Sequence, residues 1–360
     1  MSFSVGIVGL PNVGKSTTFN ALLKKKQAEA SNFAFCTIEP NVGIVNVPDE
    51  RLDKLTKISQ SKKTTPTTIE FVDIAGLVAG AHKGEGLGNK FLAHIRKVDA
   101  IVEVVRDFKN PDITHVAGKI DPQDDITTIN LELIMADLQT VTKRLDRVAK
   151  DAKSGDKNLI LEKQILEKIK LELEQENPVR DLEFTDEEGV ILKSLSLLTA
   201  KPLLYLINVD DQSQGVKPPI GGLTPKQTPY ITLNAQLESE IAELPEEEQD
   251  NYKKELGIAE TGLDKLIKES YKLLNLITYF TSGEPETRAW TVIENSKAPT
   301  AAGVIHTDFI KGFIRAEVIN WQDFVDNNGW NEAKEKGLVK TEGKEYVVQD
   351  GDVCYFLINK

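Results

Sequence analysis

The run GLPNVGKS, residues 9–16, stands between an apolar segment and a stretch with helical character. It fits the pattern G-x-x-x-x-G-K-[ST], in which glycines let the backbone wrap a polyphosphate with its N–H groups. The lysine reaches the β- and γ-phosphates, and the serine hydroxyl can ligate Mg²⁺. Between a strand and a helix, this run predicts a P-loop. Its predicted nucleotide-binding residues are Asn12, Val13, Gly14, Lys15, Ser16 and Thr17.

Further apolar runs follow the P-loop, most of them rich in Val and Ile and separated by helical patterns. They are GIVNV (43–47), TIEFVDI (68–74), AIVEVV (100–105), PLLYLINV (202–209) and YITLNA (230–235). Buried parallel strands read as nearly continuous apolar runs, because helices cover both faces of the sheet. The sequence therefore predicts an α/β P-loop NTPase domain with a mostly parallel sheet.

Two regions differ in pattern from this core. Between AIVEVV and PLLYLINV, apolar residues recur at spacings of three and four and are interrupted by AKSGDKN (152–158), which predicts an antiparallel helical coiled-coil arm. After about residue 275, alternating strand patterns around a short helical stretch predict a small α+β unit. The predicted domains are the nucleotide-binding domain at 1–125 and 200–275, the arm at 126–199 and the C-terminal domain at 276–360.

Composition limits the remaining classes. No stretch of the 360 residues is long and apolar enough for a membrane span, and the N-terminal segment lacks a signal-peptide pattern. The two cysteines, Cys36 and Cys354, argue against a disulfide framework or a structural zinc site. A net charge of −12 argues against broad nucleic-acid affinity, so no DNA partner is expected. We expect a cytoplasmic monomer.

Three residues outside the P-loop fit further parts of a phosphate site. Asp73 ends an apolar run, where a carboxylate can act on Mg²⁺ through water, and Gly76 lets a backbone N–H approach the γ-phosphate. Thr37 is placed like a switch threonine that ligates Mg²⁺ when the γ-phosphate is present. At the position where related GTPases carry a water-orienting Gln, this chain has Leu77, which cannot hydrogen-bond water. The hydrolytic group must then lie elsewhere, or intrinsic turnover is slow.

Asn12 has two interpretations. In some P-loop GTPases an Asn at this place helps to hold K⁺, which supplies charge where others use an arginine finger. It can equally be a turn-forming residue.

The chain as a whole resembles one family, the YchF family of Obg-like ATPases among the translation-factor-related P-loop GTPases. The resemblance covers nearly the whole chain, and its last two stretches are typical of the family's C-terminal TGS domain, a β-grasp module. The stretches that carry it are GIVGLPNVGKST (6–17), FCTIEPN (35–41), EFVDIAGLV (70–78), GAHKGEGLGNKFL (80–92), HVAGKIDP (115–122), AAGVIHTDFIKGFIRAEVI (301–319) and YVVQDGDV (346–353).

This resemblance implies hydrolysis of ATP in preference to GTP, potassium dependence as in bacterial members, and binding to the ribosome, either its large subunit or the whole particle. Leu77 matches the family's apolar replacement of the catalytic Gln. His115 matches a histidine proposed there as a substitute catalytic residue, although taken alone it is equally a loop or capping histidine. With Lys15 and Gly76, it completes the predicted catalytic set.

The base-recognition tetrad is the ambiguous part of the pattern. GTP-specific relatives carry N-K-x-D, and here Asn208 is kept, Val209 replaces the Lys, and Asp211 holds the carboxylate position where the family usually has Glu. The later loop reads Asn234-Ala235-Gln236, whose polar groups can contact an adenine amino group. ATP preference is therefore the expectation. A GTPase switch that reads guanine through Asp211, and a non-enzymatic nucleotide-gated ribosome-binding module, are the alternatives.

Overall fold

The computed structural model describes residues 3–29, 41–74, 76, 87–210 and 228–359. Its contacts divide the chain into two units. The larger unit comprises Ser4–Gly43 and Glu70–Leu266, and the smaller one takes Ile44–Ile69 together with the C-terminal residues from Ile267. The three-domain division stays a prediction. Among the described helices, none has a stretch long and apolar enough to cross a bilayer.

The described strands are β1 (Ser4–Val8), β2 (Val42–Asn46), β3 (Thr64–Thr65), β4 (Thr68–Asp73), β5 (Ala100–Asp107), β6 (Leu203–Val209), β7 (Tyr230–Leu233), β8 (Leu276–Ser282), β9 (Thr287–Ile293), β10 (Phe313–Asn320), β11 (Lys340–Glu342) and β12 (Asp352–Ile358). The described α-helices are α1 (Lys15–Glu29), α2 (Glu50–Ser59), α3 (Leu87–Lys97), α4 (Pro122–Asp151), α5 (Lys157–Glu174), α6 (Asp186–Leu195), α7 (Ala235–Glu243), α8 (Glu246–Glu255), α9 (Gly262–Leu273), α10 (Ala298–Ile305), α11 (Asp308–Gly312), α12 (Trp321–Asp326) and α13 (Trp330–Glu335).

A six-stranded sheet with the order β2-β4-β1-β5-β6-β7 contains the strands of the nucleotide-binding region. β1 pairs in parallel with β4 and β5, and β6 pairs in parallel with β5 and β7. Every residue of β6 is buried, as expected for a parallel strand between two helical layers. Because parallel strands end at one edge of their sheet, the segments after β1, β5, β6 and β7 meet there. The predicted fold class is confirmed.

The predicted arm is a helical hairpin. Asp121 caps the 30-residue helix α4 by accepting a hydrogen bond from the Asp124 N–H, and a short connection at 152–156 returns the chain into α5. Such a short connection makes neighbouring helices antiparallel. Their shared apolar seam includes Val141, Val148, Ile165, Leu166, Ile169 and Leu173.

The smaller unit holds a second six-stranded sheet with the order β11-β10-β12-β8-β9-β3. β8 pairs antiparallel with β9, and β10 pairs antiparallel with β12, while β12 and β8 are parallel. α10 covers this sheet with small residues that pack beside Tyr279 and Phe313. The segment 44–69 joins the unit because β3 pairs with β9, and because Leu52 and Leu55 of α2 pack against Phe280.

Candidate functional site

The P-loop is packed tightly between two strands of the sheet. A Cβ placed on Gly9 would lie 2.6 Å from the Val104 carbonyl oxygen of β5. Gly14 has φ +99°, and a Cβ there would lie 2.2 Å from Nδ2 of Asn208 at the end of β6. A side chain at either position would clash with these atoms, so both positions require glycine. Gly14 also has a left-handed backbone conformation that favours glycine. The predicted role of these glycines in letting the backbone wrap a polyphosphate stays a prediction.

Lys15 begins α1, and its side chain is buried beside Asp73, the last residue of β4. Burial lowers the pKa of the Lys15 ammonium, and the Asp73 carboxylate opposes that shift. Burial likewise raises the pKa of the Asp73 carboxyl, with Lys15 opposing. A Cβ placed on Gly76 would lie 3.2 Å from Nζ of Lys15. Lys15, Asp73 and Gly76 therefore meet in a partly dehydrated place, where charges act more strongly than in water.

The same place offers the oxygen ligands that Mg²⁺ prefers. Oδ1 of Asp73 is buried and has no hydrogen-bond partner in the part of the chain that the structure describes. Ser16 is exposed in the first turn of α1, on the open side of the loop. A hydroxyl and a carboxylate acting directly or through water are hard donors that suit this cation, so the residues present fit a magnesium ion.

Asn208 joins the P-loop to the opposite end of the site. Its Nδ2 donates to the Val13 carbonyl at 3.0 Å, and its Oδ1 accepts from the Ala235 N–H at 3.0 Å. Val209 beside it is buried. Asn234 caps α7 by accepting from the N–H groups of Gln236 and Leu237. The structure thus brings the predicted residues at 208–209 and 234–236 together around one opening.

A cavity of about 640 Å³ lies between these two groups of residues. It is lined by Asn12, Gly14, Lys15, Ser16, Thr17, Phe108, Lys109, Asn110, Ile113, Asn208, Val209, Asp210, Asn234, Ala235 and Gln236. Its volume falls within the usual range for small-molecule and cofactor sites. Residues of the phosphate-binding pattern and residues 208–210 therefore line the same cavity.

The segment after β5 is the part of this cavity that the sequence analysis missed. Phe108, Lys109, Asn110 and Ile113 line it, and we call residues 108–114 the wall segment. Nδ2 of Asn12 donates to the Thr114 carbonyl at 3.0 Å, and the Lys109 N–H donates to the Asp210 carboxylate at 2.9 Å. The arginine near the end of the strand AIVEVVRD is the sequence signal that could have indicated this segment.

Asp210 organises the outer edge of the cavity. Its carbonyl accepts from Nδ2 of Asn234 at 2.7 Å, while its carboxylate accepts the Lys109 N–H. Burial and the neighbouring Asp210 raise the pKa of the Asp107 carboxyl, and Lys109 opposes them. Asp210 therefore ties the wall segment to the loop that carries Asn234.

His115 lies directly after the wall segment, and both of its ring nitrogens are occupied. Nε2 is 3.0 Å from Oδ2 of Asp125 in α4, and Nδ1 accepts from the Ala117 N–H at 3.1 Å. This pairing assigns the remaining ring proton to Nε2, which donates it to the carboxylate. His115 does not line the cavity of the P-loop, and its catalytic role stays a prediction.

Two residues of the predicted site, Thr37 and Asp211, lie outside the described residues. Leu77, which stands where related GTPases carry the catalytic Gln, lies outside them as well.

Family models match both ends of the chain. Residues 4–146 match a model described as a 50S ribosome-binding GTPase. Residues 276–359 match YchF-GTPase_C, described as a protein of unknown function (DUF933).

Full-length relatives are also similar to the chain. A Bacillus subtilis (strain 168) protein named Ribosome-binding ATPase YchF is 55% identical over 368 residues, covering 100% of both chains. A protein of the same name from Escherichia coli O157:H7 is 51% identical over 363 residues, again with both chains covered completely. A solved structure, that of the Schizosaccharomyces pombe YchF GTPase, superimposes with a TM-score of 0.86 at 38% identity, covering 99% of this chain and 98% of the other.

Proposed function

The chain belongs to the YchF family, and we propose that it is a Mg²⁺-dependent P-loop ATPase that acts as a nucleotide-dependent switch on the ribosome, in translation or stress regulation. The observation that carries this proposal is the single cavity that joins the P-loop to Asn208 and Asn234. Its curated bacterial relatives are named ribosome-binding ATPases, which supports the ribosome as partner and the cytoplasm as the place of action.

The phosphate chemistry rests on positioning and charge. The first N–H groups of α1 have no partner within the helix, so they are available to phosphate oxygens, and Lys15 adds a buried cation. Ser16, Asp73 through water and the switch residue Thr37 are the proposed Mg²⁺ ligands, and the ion supplies charge neutralisation when it is bound. Gly76 leaves room for its N–H to approach the γ-phosphate beside Lys15.

Potassium is proposed as a second cofactor. Nδ2 of Asn12 is used by the Thr114 carbonyl, so Oδ1 is the atom with which Asn12 would ligate the ion. In this role K⁺ supplies charge where other P-loop GTPases use an arginine finger. Its removal should therefore slow hydrolysis more than it weakens nucleotide binding.

ATP preference is supported by Val209, which is buried and takes the place of the lysine that GTP-specific proteins carry. A guanine-reading switch through Asp211 is the alternative, and a titration separates the two. We expect fluorescent ATP to bind more tightly than fluorescent GTP, and a GTP affinity at least about tenfold higher than that for ATP would overturn the preference.

Enzymatic turnover is tested by Lys15→Ala under single-turnover conditions, with and without ribosomes and K⁺. We expect the rate to fall by about 100-fold or more, because the buried cation that faces the phosphates is removed. Lys193→Ala, an exposed lysine on α6, serves as control. Equal rates in the Lys15 variant and the wild type would favour the non-enzymatic ribosome-binding module.

Ribosome binding is tested by co-sedimentation with 70S particles and with isolated 50S and 30S subunits, in the presence of a non-hydrolysable ATP analogue. Binding to 70S and 50S but not to 30S is expected, since the N-terminal match is described as a 50S ribosome-binding GTPase. Co-sedimentation with none of these particles would contradict the partner.

A further inference from the structure

Arg106 is a buried cation directly beside the cavity. It lies near the end of β5, and its exposed fraction is 1%. It forms no ion pair with any carboxylate in the described part of the chain. A buried arginine without an acidic partner is costly unless its N–H groups are hydrogen-bonded.

The partners of the Arg106 guanidinium are backbone carbonyls. Nε donates to Phe108 at 3.2 Å, and Nη2 donates to Ile113 at 3.0 Å. Longer contacts of 3.4 Å from Nη2 and 3.5 Å from Nη1 reach the carbonyls of Asn110 and Asn12. The guanidinium carbon also lies 4.3 Å from the centre of the Phe108 ring. One side chain therefore holds both ends of the wall segment and touches the P-loop.

The wall segment spans the cavity from its phosphate side to its opposite side. Thr114 contacts Asn12 of the P-loop, whereas Lys109 contacts Asp210 after β6. Its side chains at 108–110 and 113 face the ligand space between these two contacts. The segment has no helix or strand of its own. One turn bond, from the Ile113 N–H to the Asn110 carbonyl at 3.2 Å, and side-chain contacts hold its conformation.

Only a guanidinium suits this arrangement. Its five N–H groups lie in one plane and point in several directions, whereas a lysine ammonium is a point charge on a flexible stem. A lysine at position 106 would keep the charge but could not bond the carbonyls on both sides of the wall segment while stacking on Phe108.

We propose that Arg106 is the positioning residue for the nucleoside half of the cavity: it holds the wall segment in the shape that receives the base and ribose of the bound nucleotide. This inference rests on the proposed ATPase function and assigns to that site a residue that neither the P-loop pattern nor the tetrad contains. Arg106 acts through Phe108, Asn110 and Ile113 and does not itself line the cavity.

Arg180 provides the matched control. It is also buried, and it also donates to backbone carbonyls, those of Thr199 and Lys201, and to Oδ1 of Asn130. It does not line the cavity. Arg180→Lys should therefore lower the melting temperature much as Arg106→Lys does, without a change in nucleotide affinity.

The test measures binding of ATP and of inorganic tripolyphosphate to the full-length protein, with Mg²⁺ present. In Arg106→Lys, the dissociation constant for ATP should rise by about tenfold, while that for tripolyphosphate stays within about twofold of the wild type. Turnover at saturating ATP should change by less than about threefold, because the contacts of Arg106 include Asn12 of the P-loop but not Lys15 or Gly76. Arg106→Gln, which removes the buried charge, is the second variant and should show the same pattern.

Two results would overturn the inference. One is ATP affinity within about twofold of the wild type in whichever of the two variants folds. The other is an equal loss of ATP and tripolyphosphate affinity, which would place the effect of Arg106 on the P-loop through Asn12. A wild-type protein that binds neither ligand would instead contradict the proposed function.

Discussion

At the phosphate end of the cavity, one continuous run of chain from Gly9 to Thr17 supplies the lining residues, and backbone conformation decides its shape. At the base end, three separate segments contribute, and side-chain hydrogen bonds hold them in place. Arg106 bonds the wall segment, Asn208 bonds the start of α7, and the Asp210 carboxylate bonds the Lys109 N–H at the outer edge of the cavity. We therefore expect nucleotide binding to be lost when the backbone of the phosphate end changes. At the base end, we expect affinity to decrease by a limited amount for each side-chain contact that is removed. Gly14→Ala and Asn208→Ala test this difference, and His115→Gln and Glu103→Gln test residues outside both ends.

The largest effect is expected from Gly14→Ala. The new Cβ would lie 2.2 Å from Nδ2 of Asn208 in a left-handed backbone, so the loop has to shift. We expect ATP and tripolyphosphate affinity to fall together by about 100-fold or more, measured by calorimetry. Gly118→Ala is the control, because Gly118 also has positive φ but has no atom within 4 Å of its Cβ position. Similar affinities in the two variants would show that backbone strain and close packing do not shape the phosphate end.

Asn208→Ala should give the next largest effect, since this residue is the contact that joins the two ends. The change leaves the buried Ala235 N–H without its acceptor, at a cost of about 1–3 kcal/mol. ATP affinity should fall by about thirtyfold, and tripolyphosphate affinity should fall less, because Val13 loses only a side-chain donor. The control is Asn130→Ala, whose side chain bonds Tyr205 and Arg180 away from the cavity. If Asn208→Ala spares ATP binding, the two ends are independent.

His115→Gln tests a residue that belongs to neither end. The proposed role in hydrolysis predicts that turnover at saturating ATP falls by about tenfold while the affinity for ATP is unchanged. Gln can still donate a hydrogen bond to Asp125, so the loss of folding stability should be small. His94→Gln, an exposed histidine on α3, is the control. Turnover equal to that of the wild type would remove His115 from the mechanism, and a loss of affinity would assign it to positioning.

The smallest effect on ATP binding is expected from Glu103→Gln, which should change stability alone. Glu103 is fully buried on β5, and its carboxyl oxygens have no hydrogen-bond partner among the described residues. Burial raises the pKa of this carboxyl well above its ordinary value of 4.5, with Arg180 opposing and Asp125 adding to the shift. The folded state therefore keeps its proton at pH values where the unfolded state has lost it.

The sign of the pH effect follows from this difference. Below pH 4.5 both states are protonated. Above it the free energy of unfolding decreases as the pH rises, until the folded state also loses its proton. The Gln variant cannot lose a proton, so its stability relative to the wild type should increase as the pH rises above 4.5, by about 1.4 kcal/mol for each pH unit over which only the folded wild type keeps the proton. Chemical denaturation at several pH values measures this, and parallel curves for the two proteins would show that Glu103 is ionised in both states. ATP affinity should be the same in both.

Asp137→Asn is the matched comparison for Glu103. Asp137 is also buried with a raised pKa, but its carboxylate accepts from the N–H groups of Leu198 and Thr199. The Asn side chain has one acceptor oxygen where the carboxylate has two, so one of these N–H groups loses its acceptor. The free energy of unfolding of Asp137→Asn should therefore be lower than that of the wild type at every pH measured.

Much of the fold was predictable because local patterns encode it. The strands at 68–73, 100–107 and 203–209 lie where Val- and Ile-rich runs predicted them, and the helical hairpin follows the spacing of its apolar residues. The joining of 44–69 to the C-terminal unit was not predictable, since β3 is two residues long and pairs with a strand more than 200 residues later.

The candidate site divides in the same way. Lys15 and Ser16 belong to a pattern of eight residues, whereas the wall segment became part of the site through contacts between residues far apart in the chain. Arg106 and Asn12 are separated by 94 residues, and Lys109 and Asp210 by 101. A single sequence records no such pairings, so neither Phe108 nor Arg106 was included in the predicted site.

The sequence by itself determined the P-loop, the order of the strands along the chain and the family, because glycine conformations and hydrophobic periodicity depend on residues close together in the chain. Only the tertiary structure decided which segments face the P-loop across the cavity. Asn208, Asp210 and Arg106 acquire their contacts when the parallel strands align and bring their ends to one edge of the sheet. The base end is therefore a product of packing between distant segments, while the phosphate end is a property of one short run of chain.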